Sequence, residues 1–103
     1  MITLPITIAT SGDNSVIAAV TGKRYKVYKL FLVATGTVSI QIKNGASKNL
    51  IGVIPLLASG TFTHDAHGHV KEALVTDTGN AFIINLSAAV SVTGYCQYEK
   101  LPK

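Results

Sequence analysis

The sequence predicts an all-β fold, with eight or nine strands arranged as a sandwich or barrel in one domain spanning residues 1–103. Val, Ile and Thr supply 31 of the 103 residues, and these β-branched side chains fit the pleated surface of a sheet. No window repeats apolar residues at the i, i+3, i+4, i+7 spacing of an amphipathic helix. Turn signals return roughly every 8–12 residues, a spacing typical of sandwiches and barrels.

Residues 25–43 are predicted to form the central hairpin. The second half of this stretch alternates apolar and polar residues, so one face of its strand is dry. The apolar residues of that face are Val38, Ile40 and Ile42. Residues 30–34 are apolar throughout, which is typical of a strand covered on both faces. Because a Thr-Gly pair separates the two strands, the sequence predicts that they form an antiparallel hairpin.

Shorter strands are predicted on either side of this hairpin. They comprise residues 4–8, 16–20, 50–57, 61–64, 70–75, 82–86 and 90–96. Because proline lacks the N–H group that a ladder needs, Pro5 is expected at a sheet edge or at the start of a strand, and Pro55 at an edge. Leu74 is expected to face inward, and Asn85 to face solvent or to cap the loop that follows.

Turns and chain ends complete the predicted topology. Residues 11–14 and 44–47 carry Gly, Asp, Asn and Ser, the residue types that dominate turns. In the last strand, Val90, Val92, Gly94 and Cys96 are expected to share one face, because side chains alternate with a period of two. We expect residues 100–103 to be frayed.

Composition favours association over catalysis. Hydrophobic residues make up 48% of the chain and charged residues 14%, against a usual charged share of about 25%. A surface with so few charges indicates contacts with other subunits. There is no Gly-x-Ser-x-Gly motif. Of the carboxylates, only Glu72 has a conceivable apolar setting, and a solvated strand position suits it better. We therefore expect no enzyme and no cofactor.

Four of the nine basic residues, Lys23, Arg24, Lys26 and Lys29, are bunched together, in a chain of net charge +4. Such a cluster attracts phosphate, but lysines on a solvated strand face also block unwanted edge pairing. The second reading is favoured, because the sequence shows no aromatic platform or nucleic-acid motif beside the lysines. No apolar run approaches the roughly 18 residues of a membrane span. We expect neither nucleic acid nor a membrane as partner.

A lone cysteine, Cys96, cannot form an internal disulfide, so the chain suits a reducing compartment. Its place in a strand pattern favours a buried structural thiol over a nucleophile. The start of the chain has no basic region and carries Pro5 early, so no signal peptide is expected.

The one candidate metal site comprises His64, His67 and His69, beside Asp65. Imidazole and carboxylate suit Zn²⁺, Ni²⁺ or Cu²⁺, and a threefold assembly would gather one histidine from each chain. The favoured alternative is a polar loop without metal, since no distant ligand group is evident. A pH-sensitive contact is a third reading.

Four tyrosines, Tyr25, Tyr28, Tyr95 and Tyr98, offer a second kind of site. Together they would form a stacking surface for a sugar or base. The reading we favour places them in the core or at a subunit interface, with hydroxyl groups at the rim.

Three segments resemble small virion structural proteins of tailed bacteriophages. They are residues 12–14 with 17–23, residues 32–38, and residues 85–95. The resemblance runs from residue 12 to about residue 98, apart from residues 44–80, where the histidine loop lies. It is carried by strand and turn patterns rather than by catalytic motifs. Some proteins of this kind are jelly-roll capsid decoration (cement) proteins, often trimeric.

The resemblance implies an antiparallel β-sandwich of jelly-roll type with about eight strands. It further implies a homotrimer made in the host cytoplasm, which binds the major capsid protein on the virion surface and bridges capsid subunits. Residues 16–20, residues 25–29 and the N-terminal strand are the contact surfaces we expect. The alternative is a tail or fibre module that recognises a host glycan through the tyrosines and residues 64–69. A metal-dependent enzyme or metal-stabilised oligomer is the third hypothesis.

Overall fold

The computed structural model describes residues 2–66 and 74–102, and these residues form a β-sandwich of two antiparallel sheets. This confirms the predicted fold class. The strands are β1 (Ile2–Ile8), β2 (Gly12–Ile17), β3 (Lys23–Ala34), β4 (Val38–Asn44), β5 (Lys48–Asn49), β6 (Ile54–Leu56), β7 (Thr61–Asp65), β8 (Leu74–Val75), β9 (Phe82–Leu86) and β10 (Val92–Pro102). No helix that could cross a membrane occurs within the described ranges.

The strand order is that of a jelly roll. The first sheet runs β1-β10-β3-β7, with β8 also on β3, and the second runs β2-β9-β4-β5, with β6 also on β4. Apart from the two-residue strands β5 and β8, each sheet therefore has four strands, and the last strand lies between the first and the third, as in jelly rolls.

The core lies between the inner faces of the sheets. In β4 the burial pattern alternates strictly, and Val38, Ile40 and Ile42 are fully buried, as their spacing predicts. The inner residues of β3 and β9 pack against them. The inward face predicted for the last strand is also confirmed, because Val92 and Cys96 are buried.

The predicted central hairpin is wrong. β3 belongs to the first sheet and β4 to the second, so Thr35 and Gly36 carry the chain across the sandwich. The apolar stretch at the end of β3 is covered on one face only. Leu30 and Leu32 are fully buried, whereas Phe31 is half-buried on the outer face.

Three further predictions differ from the structure. Residues 12–14 open β2 instead of forming a turn, and the side-chain amide of Asn14 donates to the carbonyl oxygens of Thr10 and Gly12. The strand expected at residues 50–57 is confined to Ile54–Leu56. The expected frayed tail continues β10 to Pro102, which pairs with Lys23.

The edge assignments are confirmed. Pro5 lies in β1, the outer strand of the first sheet, and Pro55 lies in β6, which pairs only with β4 among the described strands. Leu74 faces inward, as predicted. Residues 70–73 of the strand expected at 70–75 lie outside the described residues.

One turn joins the two sheets at one end of the sandwich. Thr76 is buried, and its Oγ1 accepts a hydrogen bond from the Tyr25 N–H at 2.9 Å. The Oδ1 of buried Asn44 accepts from the Asp77 N–H at 2.9 Å and from the Asn80 Nδ2 at 3.0 Å. Because Tyr25 belongs to the first sheet and Asn44 to the second, these bonds fix the sheets relative to each other.

Candidate functional site

The histidines are only partly placed. His64 lies in β7, opposite Leu30 of β3, whereas His67 and His69 lie outside the described residues. Within the part of the chain that the structure describes, no three His, Cys, Asp or Glu side chains gather into a metal-binding group. The metal site at residues 64–69 therefore stays a prediction.

The four tyrosines fall into two groups with different environments. Tyr25 and Tyr98 pack edge to face, with ring centroids 5.7 Å apart. Tyr25 is 1% exposed, and its hydroxyl donates to the Ala18 carbonyl oxygen at 2.6 Å. Burial, and then the nearby Tyr98, raise the pKa of Tyr25. This pair is structural, as the favoured reading of the tyrosines expects.

The other two tyrosines belong to an aromatic patch on the outer face of the first sheet, comprising Tyr28, Lys29, Phe31 and Tyr95. Phe31 and Tyr95 are cross-strand neighbours with ring centroids 5.9 Å apart. The Nζ of Lys29 lies 5.6 Å from the Tyr95 ring centroid and 3.9 Å from an Asp65 carboxylate oxygen. The patch thus offers two ring faces surrounded by hydrogen-bonding groups.

The ionisable groups of this patch interact with neighbours in the same sheet. The hydrogen bond to Tyr95, more than the charge of Asp65, raises the pKa of Lys29. Partial burial, followed by the charge and hydrogen bond of Glu99, raises the pKa of Tyr28. Each cation or hydroxyl of the patch therefore has a neighbour in the same sheet, which suits recognition of a neutral polar ligand better than recognition of a phosphate.

Sequence reasoning missed Phe31 as a surface residue. Alternation within β3 places it opposite the buried Leu30 and Leu32, and that signal was present in the sequence. The sequence carried no signal for the closeness of Phe31 to Tyr95, because that closeness depends on the register between β3 and β10.

A second surface feature is an apolar stripe on the outer side of β6, made of Val53, Pro55 and Leu57. Val53 is 63% exposed and Leu57 is 74% exposed. Pro55 pairs with Ser39 on the outer face of the second sheet. Val53 and Leu57 flank β6 and are on the same side as Pro55, since side chains of an extended chain alternate. Exposed apolar residues grouped in this way are typical of an interaction site.

The outer face of the second sheet carries polar side chains around Ile83, which pairs with Ser15 and Lys43. Asp13 accepts hydrogen bonds from the Asn85 amide at 2.7 Å and from the Lys43 ammonium at 3.1 Å. These two donors, Asn85 first, lower the pKa of Asp13. A carboxylate held ionised by two donors is a structural group rather than a proton donor.

One concave site lies at the side of the sandwich. A groove of about 130 Å³ lies between β1 and β2, below the roughly 300 Å³ at which ligand pockets begin. Compared with models of known protein families and with curated proteins, the chain matches none.

Cys96 is completely buried, and desolvation raises the pKa of its thiol to about 11. We expect the folded protein at pH 8 to react with iodoacetamide at least about 100-fold more slowly than the protein unfolded in guanidinium chloride, because only the thiolate is nucleophilic. Mass spectrometry of time points measures both rates. Rapid stoichiometric labelling of the folded protein would contradict this assignment of Cys96.

Proposed function

We propose that the chain is a phage virion structural protein, a capsid decoration or cement protein that stabilises the head by bridging subunits of the major capsid protein. The proposal rests on the sequence resemblance and is supported by one observation above all, the exposed apolar stripe of Val53, Pro55 and Leu57. Apolar surface of this kind is stabilised by burial against a partner. In this role the chain is not an enzyme and acts on the capsid surface. The trimer that the resemblance implies and the dimer proposed in the next subsection are competing predictions, and the mass of the protein in solution decides between them.

The mechanism is multivalent burial. Each apolar stripe buries a small area, so a single contact is weak. A decoration protein that touches several neighbouring capsid subunits adds such contacts within one assembly, which raises the avidity well above the affinity of any one of them. The capsid gains stability because the protein binds the assembled shell and not its separated subunits.

The test is binding of the purified protein to expanded, undecorated heads of the phage that encodes it. We expect stoichiometric binding of the wild type. The double variant Val53→Asp/Leu57→Asp should bind at least about tenfold more weakly, because burial of two aliphatic side chains is lost. Sedimentation with the heads measures both. Failure of the wild type to bind would remove the cement function.

A matched control separates a general charge effect from loss of the stripe. Thr61→Asp/Thr63→Asp adds the same charge at two exposed positions of β7, in the other sheet. This variant should bind heads as the wild type does. Equal weakening by both double variants would show that the stripe is not the contact surface.

The aromatic patch favours the alternative, a tail or fibre module that recognises a host glycan. Sugar rings stack on aromatic faces while their hydroxyl groups bond to the surrounding polar groups, and Phe31, Tyr95 and Lys29 offer both kinds of contact. A glycan array discriminates the two functions. A cement protein gives no signal, whereas a glycan-binding module gives a signal that Tyr95→Ala removes.

A further inference from the structure

The sandwich is open on the side where β1 ends the first sheet and β2 ends the second. A groove of about 130 Å³ separates them, lined by residues 4–8 of β1 and by Ser15 and Val16 of β2. Ile2, at the start of β1, is 46% exposed. Apolar side chains that face inward are thus left partly uncovered along this side.

One hydrogen bond shows to which neighbouring strand each residue of β10 directs its main-chain N–H and C=O groups. The Thr35 N–H donates to the Ser91 carbonyl oxygen at 3.0 Å, in line with the register between β3 and β10. Residues of an antiparallel ladder direct both main-chain groups to the same neighbour, and successive residues alternate between neighbours. Ser91 therefore faces β3, and Val92 faces β1, where it pairs with Ile8.

The same alternation applied to β1 identifies the groups at its free edge. Since Ile8 faces β10, the residues Thr7, Pro5 and Thr3 direct their main-chain groups away from the sheet. Proline has no N–H group, and an edge position is where it is tolerated. The free edge consequently presents two N–H groups, from Thr3 and Thr7, and three carbonyl oxygens.

Charge makes this edge more suitable than the basic parts of the surface for binding a second copy. The chain carries a net charge of +4, so copies repel each other in general. β1 carries no charged residue, and the one charged residue of β2, Asp13, is paired with Lys43 on the outer face of the second sheet. The open side is therefore a surface on which two copies can meet without bringing like charges together.

We propose that β1 pairs antiparallel with β1 of a second copy, around a twofold axis that passes through Pro5, so that the first sheets of the two copies become one continuous sheet. In this register the Thr3 N–H donates to the partner's Thr7 carbonyl, and the Thr7 N–H donates to the partner's Thr3 carbonyl. Twofold symmetry repeats both bonds.

Pro5 selects this register. Moving the axis by one residue in either direction pairs Thr3 or Thr7 with the partner's Pro5, which cannot donate, and so halves the number of bonds. With the axis at Pro5, the two prolines lie opposite each other, and all seven residues of each strand overlap.

The side chains are also complementary in this register. On the inner face, Ile2 lies opposite the partner's Ile8, and Leu4 lies opposite the partner's Ile6, so the exposed part of Ile2 becomes covered. On the outer face, Thr3 lies opposite the partner's Thr7, a favourable cross-strand pair. The contact is isologous, so it closes as a dimer. It does not depend on the proposed function.

The first test changes charge at positions 3 and 7, which are both exposed. By sedimentation, the wild type should have twice the 10.8 kDa mass of one chain. Thr3→Lys/Thr7→Lys places lysines opposite each other twice and should raise the dissociation constant by roughly tenfold or more. Thr3→Lys/Thr7→Glu places opposite charges together and should remain dimeric. Thr61→Lys/Thr63→Lys, on the other edge strand of the same sheet, is the charge-matched control and should not change the mass.

The second test does not depend on association strength. A hydrogen-bonded antiparallel pair has Cα atoms about 5.5 Å apart, within the range of a disulfide. Pro5→Cys should therefore give a covalent dimer under mild oxidation, visible on a non-reducing gel, whereas Thr63→Cys should not. A monomeric or trimeric wild type, an unchanged mass for Thr3→Lys/Thr7→Lys, or equal cross-linking of the two cysteine variants would each overturn the proposal.

Discussion

Replacement of Gly94 by alanine is expected to destabilise the fold by about 3 kcal/mol or more. A Cβ atom at this position would overlap the carbonyl oxygen of Phe31 and lie 3.0 Å from the Cα of Leu32. Both obstacles are main-chain atoms of β3, so no side-chain rotation relieves the overlap. The two central strands of the first sheet would have to separate. Urea unfolding followed by circular dichroism measures the loss.

Gly52→Ala is the matched control for this change. A Cβ at Gly52 has no neighbour within 4 Å, and the residue is exposed. Its unfolding midpoint should equal that of the wild type within error. If the two alanine variants had the same stability, the close approach of β3 to Gly94 would not exist in solution.

Replacement of Ile40 by aspartate is expected to abolish cooperative folding. Ile40 is completely buried between β6 and β9 in the core of the second sheet. The change removes an aliphatic side chain, at a cost of about 2–5 kcal/mol, and buries a carboxyl group without a charge partner, which costs several kcal/mol more. The sum is comparable to the whole stability of a domain, about 5–15 kcal/mol. Thermal unfolding should show no transition.

The adjacent position supplies the control. Ser39 faces the outer side of the same strand, so Ser39→Lys should retain a cooperative transition close to that of the wild type. A folded Ile40→Asp protein would show that β4 does not line the core. Loss of head binding by a folded Ser39→Lys protein would instead place the outer face of β4 at an interface.

Local patterns predicted the strands well where the strand itself supplies the signal. The alternation at residues 38–42 gives both the strand and its buried face, because one face of β4 packs on the core and the other meets solvent. Pro5 and Pro55 marked edge strands correctly for a chemical reason, since neither can donate to a ladder. These inferences need no knowledge of which strands are neighbours.

Pairing could not be derived in the same way. Residues 25–43 predict two strands and a short connection, but the same pattern serves a hairpin and a crossing between sheets. What distinguishes them is strand pairing, because β3 pairs with β10 and β7 whereas β4 pairs with β9 and β6. The pairing with β10 and β9 brings together residues far apart in sequence. Long-range pairing also explains why residues 100–102 continue β10 instead of fraying, because Pro102 pairs with Lys23.

The candidate surfaces also depend on strand pairing, which local sequence patterns do not reveal. The sequence offered four equivalent tyrosines and did not distinguish those at the surface from those in the core. The register between β3 and β10 separates Tyr28 and Tyr95, at the surface, from the buried pair. The exposed stripe at β6 was hidden within an apolar segment whose composition predicts burial. Exposure of Leu57 depends on the absence of a further strand beyond β6 among the described residues, and no local pattern records that.

The central place of β10 has a consequence for the order in which the protein folds. This strand is the last to be synthesised, yet it lies between β1 and β3. Until β10 has left the ribosome, the first sheet lacks the strand that lies between β1 and β3, and the facing edges of these two strands are unpaired. The strands of the second sheet do not pair with β10 and can assemble earlier. Completion of the first sheet is therefore late, and it is slow because its contacts span most of the chain. The intermediate without β10 is the species most exposed to aggregation.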